Sequence, residues 1–164
     1  MIKNMRYPFI ALMAVVCIII NSCKRDNVDN ISTLLTSGYW QLASVRQVKF
    51  LGDTQLSDTT TTCDSVQTFT FNKDKTCTFV NFGCAANRIN GSWSLNSTKL
   101  FLMSDLTAPD STGKPYQPFG YTRISNLGDY SLVLETGDIQ NYYNATDRRT
   151  LYRWGFVRIK TSTR

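Results

Sequence analysis

Histidine is missing from all 164 residues. That absence removes the Ser-His-Asp triad, the Cys-His dyad and every histidine-ligated metal site. Glutamate is nearly missing as well, with Glu135 alone, so acid–base chemistry would fall to aspartate, lysine or tyrosine. No spacing draws those groups together, and the expectation is a protein that is not an enzyme and uses no cofactor. No Cys-x-x-Cys occurs, which argues against redox or metal chemistry at cysteine. Proline is scarce: four residues, three of them within Asp105–Pro118. Past the N-terminus, no apolar run approaches the roughly 20 residues of a membrane-spanning helix.

What the chain does contain favours strands. Aromatics make up 12% of it, alongside many Thr, Ser and Val, the residue types that suit a pleated, half-buried surface. The length suits one domain with a real core. Setting aside Lys3 and Arg6 lowers the formal charge from +6 to +4. Arg148, Arg149, Arg153, Arg158, Lys160 and Arg164 crowd the C-terminal end. No nucleic-acid-binding motif interleaves them, so nucleic acid is not an expected partner.

The N-terminus has the layout of an export signal. Lys3 and Arg6 form a short positive region, and Phe9–Ile20 is an apolar stretch of 12 residues, too short to cross a bilayer comfortably. Ile20-Asn21-Ser22-Cys23 follows, with an aliphatic residue three before the cysteine and a small one just before it. This resembles the lipobox of bacterial lipoproteins. The resemblance implies a signal peptide over residues 1–22, cleavage before Cys23, and diacylglycerol with palmitate-type chains on its thiol. One acyl chain gives marginal membrane affinity, whereas several on one residue anchor stably. Lys24, rather than Asp, follows the cysteine, so the expected location is the bacterial outer membrane, periplasmic or outward face open. Residues 23–32 read as a lipidated tether and 33–164 as the folded domain.

Three cysteines then remain. Cys77 lies in the strand-like run TCTFVNF, where a small apolar residue packs naturally. Cys63 and Cys84 flank a predicted hairpin in loop-like surroundings. An exported domain meets an oxidising compartment, and a Cys63–Cys84 disulfide is expected. Closing that loop of about 22 residues is worth roughly 3 kcal/mol in the chain-entropy view.

Ile31–Gly38 reads as a helical turn closed by glycine, offering Leu34 and Leu35 to a core. Eight strands are predicted after it: 39–50, 65–71, 76–82, 88–96, 99–104, 119–127, 129–136 and 149–159. Arg88–Asn96 alternates most cleanly, with Ile89, Gly91, Trp93 and Leu95 on one face. Residues 51–62 and 105–118 read as exposed loops. The last strand is apolar on both faces, so something must cover one of them, the N-terminal turn being a candidate. The fold class expected is all-β: an eight-stranded antiparallel up-and-down barrel, since closure removes exposed edges.

Gly38-Tyr39-Trp40 is similar to the Gly-x-Trp signature that opens lipocalins. The order continues through Cys63-Asp64, Thr68-Phe69-Thr70-Phe71, Asn72-Lys73-Asp74-Lys75, Cys84, Gly91-Ser92-Trp93-Ser94-Leu95 and Lys99-Leu100-Phe101-Leu102. Together, over roughly residues 33–160, these resemble the lipocalin-like domains of small bacterial lipoproteins. The resemblance implies a lipocalin-like barrel, an extracytoplasmic location and a basic residue near the last strand packing on Trp40, either Arg153 or Arg158. It implies no particular ligand.

Trp40, Phe69, Phe71, Phe79 and Trp93 point to one of two things: a packed core, or the lining of a cavity for a small apolar or amphipathic ligand. Arg46 and Arg123 either face solvent or stand at the barrel mouth. Tyr142 and Tyr143 pack at a rim or offer a contact patch to a sugar or a protein partner of unstated kind. Asn30, Asn90, Asn96 and Asn144 begin Asn-x-Ser/Thr sequons, discounted because a lipobox implies a bacterium. Asp58-Thr59-Thr60 and Asp110-Ser111-Thr112 resemble acceptor sites of some bacterial O-glycosylation systems. A filled barrel presenting loops to an envelope protein or glycan is the alternative to ligand binding.

Overall fold

A computed structural model describes residues 30–110 and 112–159. Cys23 and the signal-peptide assignment therefore lie outside the described residues, as does Ser111. The described residues from Ile31 onward form one compact unit.

Among the described residues a short helix, α1 (Ile31–Thr36), precedes eleven strands. They are β1 (Tyr39–Leu51), β2 (Thr54–Thr61), β3 (Thr68–Phe71), β4 (Thr76–Val80), β5 (Arg88–Leu95) and β6 (Phe101–Ser104). After these come β7 (Ala108–Pro109), β8 (Pro115–Tyr116), β9 (Thr122–Leu127), β10 (Ser131–Gly137) and β11 (Arg148–Ile159). The order β11-β10-β9-β6-β5-β4-β3-β1 closes on itself through β1–β11, giving an eight-stranded antiparallel barrel as expected. Closure pairs β1 with β11 from Tyr39↔Ile159 to Leu51↔Arg148, the longest ladder in the fold.

The ninth strand corrects the sequence reading. Residues 51–62 were expected as an exposed loop, but Thr54–Thr61 pairs with β1 as β2. Its residues are nearly all solvent-exposed, so no apolar alternation marks it. Threonine's β-branched backbone preference and the partner strand decide the conformation.

Alternation sets the core. Leu42, Val45, Leu134, Trp154 and Phe156 face one another across β1, β10 and β11 in register. The barrel interior holds Trp40, Phe69, Phe71, Phe79, Trp93, Leu102, Leu132, Leu134 and Phe156, all 2% exposed or less. Residues 105–118 were expected as a second exposed loop. They form the β7–β8 hairpin instead, and with Phe119 they send Leu106 and Ala108 into the core at 0–1% exposure. Gly91 admits them, because a Cβ there would lie 2.9 Å from the Leu106 nitrogen.

Leu151 and Val48, register partners, point outward yet are buried. Arg123, on the same outer surface, donates to the Ile139 carbonyl of the β10–β11 connection, and Ile139 is itself buried.

Candidate functional site

The two ends of the barrel are built differently. At one end α1 inserts Leu35, fully buried. Trp40 Nε1 donates to the Leu35 carbonyl at 2.9 Å, and the Arg158 guanidinium lies 4.5 Å from the Trp40 ring centroid. Arg158 also donates to Ser37 Oγ (2.7 Å) and to the carbonyls of Leu34 (2.6 Å) and Gly128 (3.3 Å). Arg158 is thus the arginine on Trp40. Burial lowers its pKa from the ordinary arginine value. Gly38 at φ 140° makes the turn into β1, and a Cβ there would meet the Ile159 carbonyl at 2.9 Å. This end is closed.

Arg153 has a different partner. Its Nε donates to Glu135 at 2.8 Å, and Arg123 approaches the other Glu135 oxygen at 3.6 Å. Arg46 pairs with Asp58 across β1 and β2. These residues lie side by side on the outer surface, since Arg46, Arg153, Glu135 and Arg123 are successive register partners. The single glutamate is a strut between two arginines. Neither Arg46 nor Arg123 lines the cavity described next.

The other end opens into a cavity of about 570 Å³. Its floor and one wall come from strands: Leu42, Ala43, Ser44 and Val45 of β1, Thr136 of β10, and Tyr152 and Trp154 of β11. The β1–β11 register slips between Leu42 and Ser44, and the bulge turns this stretch of β1 along the cavity. The end of β2 (Thr60 and Thr61) and the connection after it (Thr62, Cys63, Ser65 and Gln67) form one side, Phe82–Cys84 another, and Asp110, Tyr116 and Pro118 come from the β7–β8 hairpin and its flank.

Cys63 and Cys84 are joined by a disulfide, with Cα atoms 5.5 Å apart. It ties the β2–β3 connection to the 3-10 turn Phe82–Cys84 and so holds two cavity walls at a fixed spacing. Phe82 stacks on Trp154 at 5.8 Å between centroids. Trp154 is pinned by its Nε1 bond to Thr136 Oγ1 at 3.0 Å, and Tyr152 accepts from Gln47 Nε2 at 2.9 Å. The result is a rigid aromatic wall facing a hydroxyl-rich one. Gln67 is 5% exposed; its Nε2 reaches Cys63 Sγ at 3.0 Å. Its Oε1 and the Ser65 hydroxyl have no hydrogen-bond partner among the described residues.

Charge at the cavity is sparse. Asp110 is the single charged lining residue among those described. Its Oδ1 accepts from Thr112 Oγ1, Thr112 N and Lys114 N, which hold its pKa below the ordinary carboxylate value. Burial raises the Tyr116 pKa above the ordinary phenol value, so its hydroxyl stays neutral beside the Asp110 carboxylate. No group of three or more potential metal ligands occurs among the described residues.

Of the five aromatics singled out from sequence, Phe69, Phe71, Phe79 and Trp93 are linked by ring contacts and Trp40 packs with Arg158. Phe69 contacts Phe71 and Phe79 at 4.1 and 5.1 Å, Phe71 meets Trp93 at 5.6 Å, and none of the five, Trp40 included, lines the cavity. Phe119 wedges between them and Trp154, 5.0 Å from Phe69 and 5.2 Å from Trp154. The cavity residues Phe82, Tyr116, Tyr152 and Trp154 escaped the sequence reading. One signal was present: the Phe82-Gly83-Cys84 run beside the disulfide. Cys77 is free and buried, 3.4 Å from Ser104 Oγ, with burial raising its pKa.

Of the paired loop tyrosines, Tyr143 packs at a rim, donating to Asp53 at 2.5 Å beneath Arg149, whose guanidinium is 3.3 Å from its ring centroid. Tyr142 is 91% exposed. Asp58-Thr59-Thr60 lies in β2 rather than in a loop, while Asp110 heads the turn between β7 and β8. In comparisons with known proteins, the chain matches no family model and no curated protein at a significant level.

Proposed function

We propose that the protein is a lipid-anchored envelope protein, held on a bacterial outer membrane through Cys23, whose lipocalin-like barrel binds a small apolar or amphipathic molecule without catalysis. The observation that carries the binding half is the cavity of about 570 Å³ at the open end, walled by Phe82 and Trp154 and held by the Cys63–Cys84 bridge. Ligand cavities of a few hundred Å³ combine such apolar walls with a few placed polar groups. The packing of Arg158 on Trp40 supports kinship with lipocalins. The anchor rests on the lipobox-like Ile20–Cys23.

Native mass spectrometry of residues 24–164, which contain the whole compact unit, tests the binding half with decan-1-ol as probe. One added molecule is expected, and none in Ala43→Trp, which fills the cavity from β1, provided its urea midpoint matches the parent. For the anchor, Cys23→Ala in the full chain is expected to leave the leader uncleaved and abolish acylation. Unchanged processing and membrane fractionation would remove it.

A second reading has one observation in its favour: the interior behind the cavity is fully packed by aromatic rings. A filled barrel presenting loops, Tyr142 among them, to an envelope protein or glycan would give clean masses with every small-molecule probe.

A further inference from the structure

We infer that the cavity selects an amphiphile with an uncharged, hydrogen-bond-donating head, an alcohol or a primary amide, over the carboxylate of the same chain length. This rests on the ligand-binding reading above and names the class of molecule that reading leaves open.

Two features point the same way. The first is the charge of the lining. No lysine or arginine is among the described residues around the cavity, and the one charged group, Asp110, is negative. The arginines nearest along the strands are engaged elsewhere: Arg46 with Asp58 and Arg153 with Glu135, on the outer surface. A carboxylate entering would lose its water, meet no counter-ion and face a second anion, which a medium of low dielectric penalises heavily.

The second is what the lining lacks. Gln67 is 95% buried by its 5% exposure, and its Oε1 has no donor, while its Nε2 is directed at the Cys63 sulfur. A buried acceptor left unpaired costs more than an ordinary hydrogen bond returns. Gln67 lines the cavity, and a turn of its side chain toward it would bring this acceptor to a ligand hydroxyl or N–H and remove that cost. Ser65, on the same connection and also lining the cavity, carries a second unpartnered hydroxyl. The stacked Phe82–Trp154 wall then takes the apolar chain.

Three probes of matched length separate the claims when titrated calorimetrically into residues 24–164: decan-1-ol, 1-methoxynonane and decanoate. The methyl ether keeps the alcohol's shape and acceptor but cannot donate. The alcohol is expected to bind about tenfold tighter than the ether, the size of one good buried hydrogen bond, and decanoate more weakly than either at neutral pH. In Gln67→Leu, with Gln67→Met as a second apolar replacement of similar length, the alcohol falls to the ether's affinity while the ether is unchanged. Ether binding as tight as alcohol, an undiminished alcohol preference in both variants, or decanoate binding as tight as alcohol overturns the inference and leaves ligand binding standing. If none of the three binds, the ligand-binding reading itself fails, and this inference with it.

Discussion

The closed end of the barrel and the open end use the same kinds of residue for opposite purposes. At the closed end an indole and a guanidinium are stacked, and both donate to the carbonyls of α1. At the open end an indole and a phenyl ring are stacked in the same way, but their exposed faces border empty space. The polar groups differ more sharply. Trp40 Nε1 and Arg158 Nη2 find backbone acceptors, with only Arg158 Nε unpartnered at that end among the described residues, whereas Gln67 and Ser65 are left with an unpaired oxygen each. Strands and a helix build the first end; strands, connections and a disulfide together build the second. One end is packed shut and the other holds a cavity.

The largest expected effect lies at the closed end. Trp40→Ala removes a fully buried indole and its bond to Leu35, and should cost about 3–5 kcal/mol by urea unfolding. A loss below about 1 kcal/mol would mean that the ends do not differ in this way.

Next is the disulfide. Reducing the bridge, which spans a sequence separation of 21, should lower stability by about 3 kcal/mol. Because it holds both connection walls, probe binding at the cavity should weaken as well. Stability lost without any change in binding would detach the bridge from the site.

Arg158→Met should cost about 2 kcal/mol, since charged donors to buried carbonyls are removed while the methionine keeps an apolar contact with Trp40. Its effect on cavity binding should be nil. A loss of probe affinity equal to that from Gln67→Leu would show that the two ends are coupled.

The outer surface gives the smallest effects and an internal contrast. Glu135 is 6% exposed, but its arginine partners have side chains 31% and 40% exposed, so Glu135→Gln should cost only about 1 kcal/mol. Asp58→Asn, in the more exposed pair with Arg46 (side chains 22% and 47% exposed), should leave the urea midpoint unchanged at about 0.15 M salt. Equal losses from the two substitutions would contradict the burial difference between them.

Much of the fold was legible in the sequence because alternation reports burial directly. Phe69 and Phe71, or Ile89, Gly91, Trp93 and Leu95, can face inward only if their neighbours face out. The short helix was readable from Gly38, and the disulfide from two cysteines flanking a hairpin. β2 was not readable, because an edge strand exposed on both faces has no apolar period to show. The cavity was hidden for a related reason. Tyr152 and Trp154 of β11 meet Phe82 and Tyr116 there, and those two arrive by a turn and a short hairpin whose paths no periodicity encodes. Large buried aromatics such as Phe79 look the same in sequence whether they line a void or fill it; here Phe119, expected as the first residue of a strand but lying in the turn before β9, makes them core.

The most direct measurement is fluorescence quenching of residues 24–164 by a decanol brominated at its far end, because a bromine reports only on an indole it can approach. Saturable quenching is expected in the parent protein and its loss in Trp154→Phe, since Trp40 and Trp93 are sealed in the core at 0% and 2% exposure. Quenching that never saturates, or that survives Trp154→Phe undiminished, would contradict a ligand site at the open end.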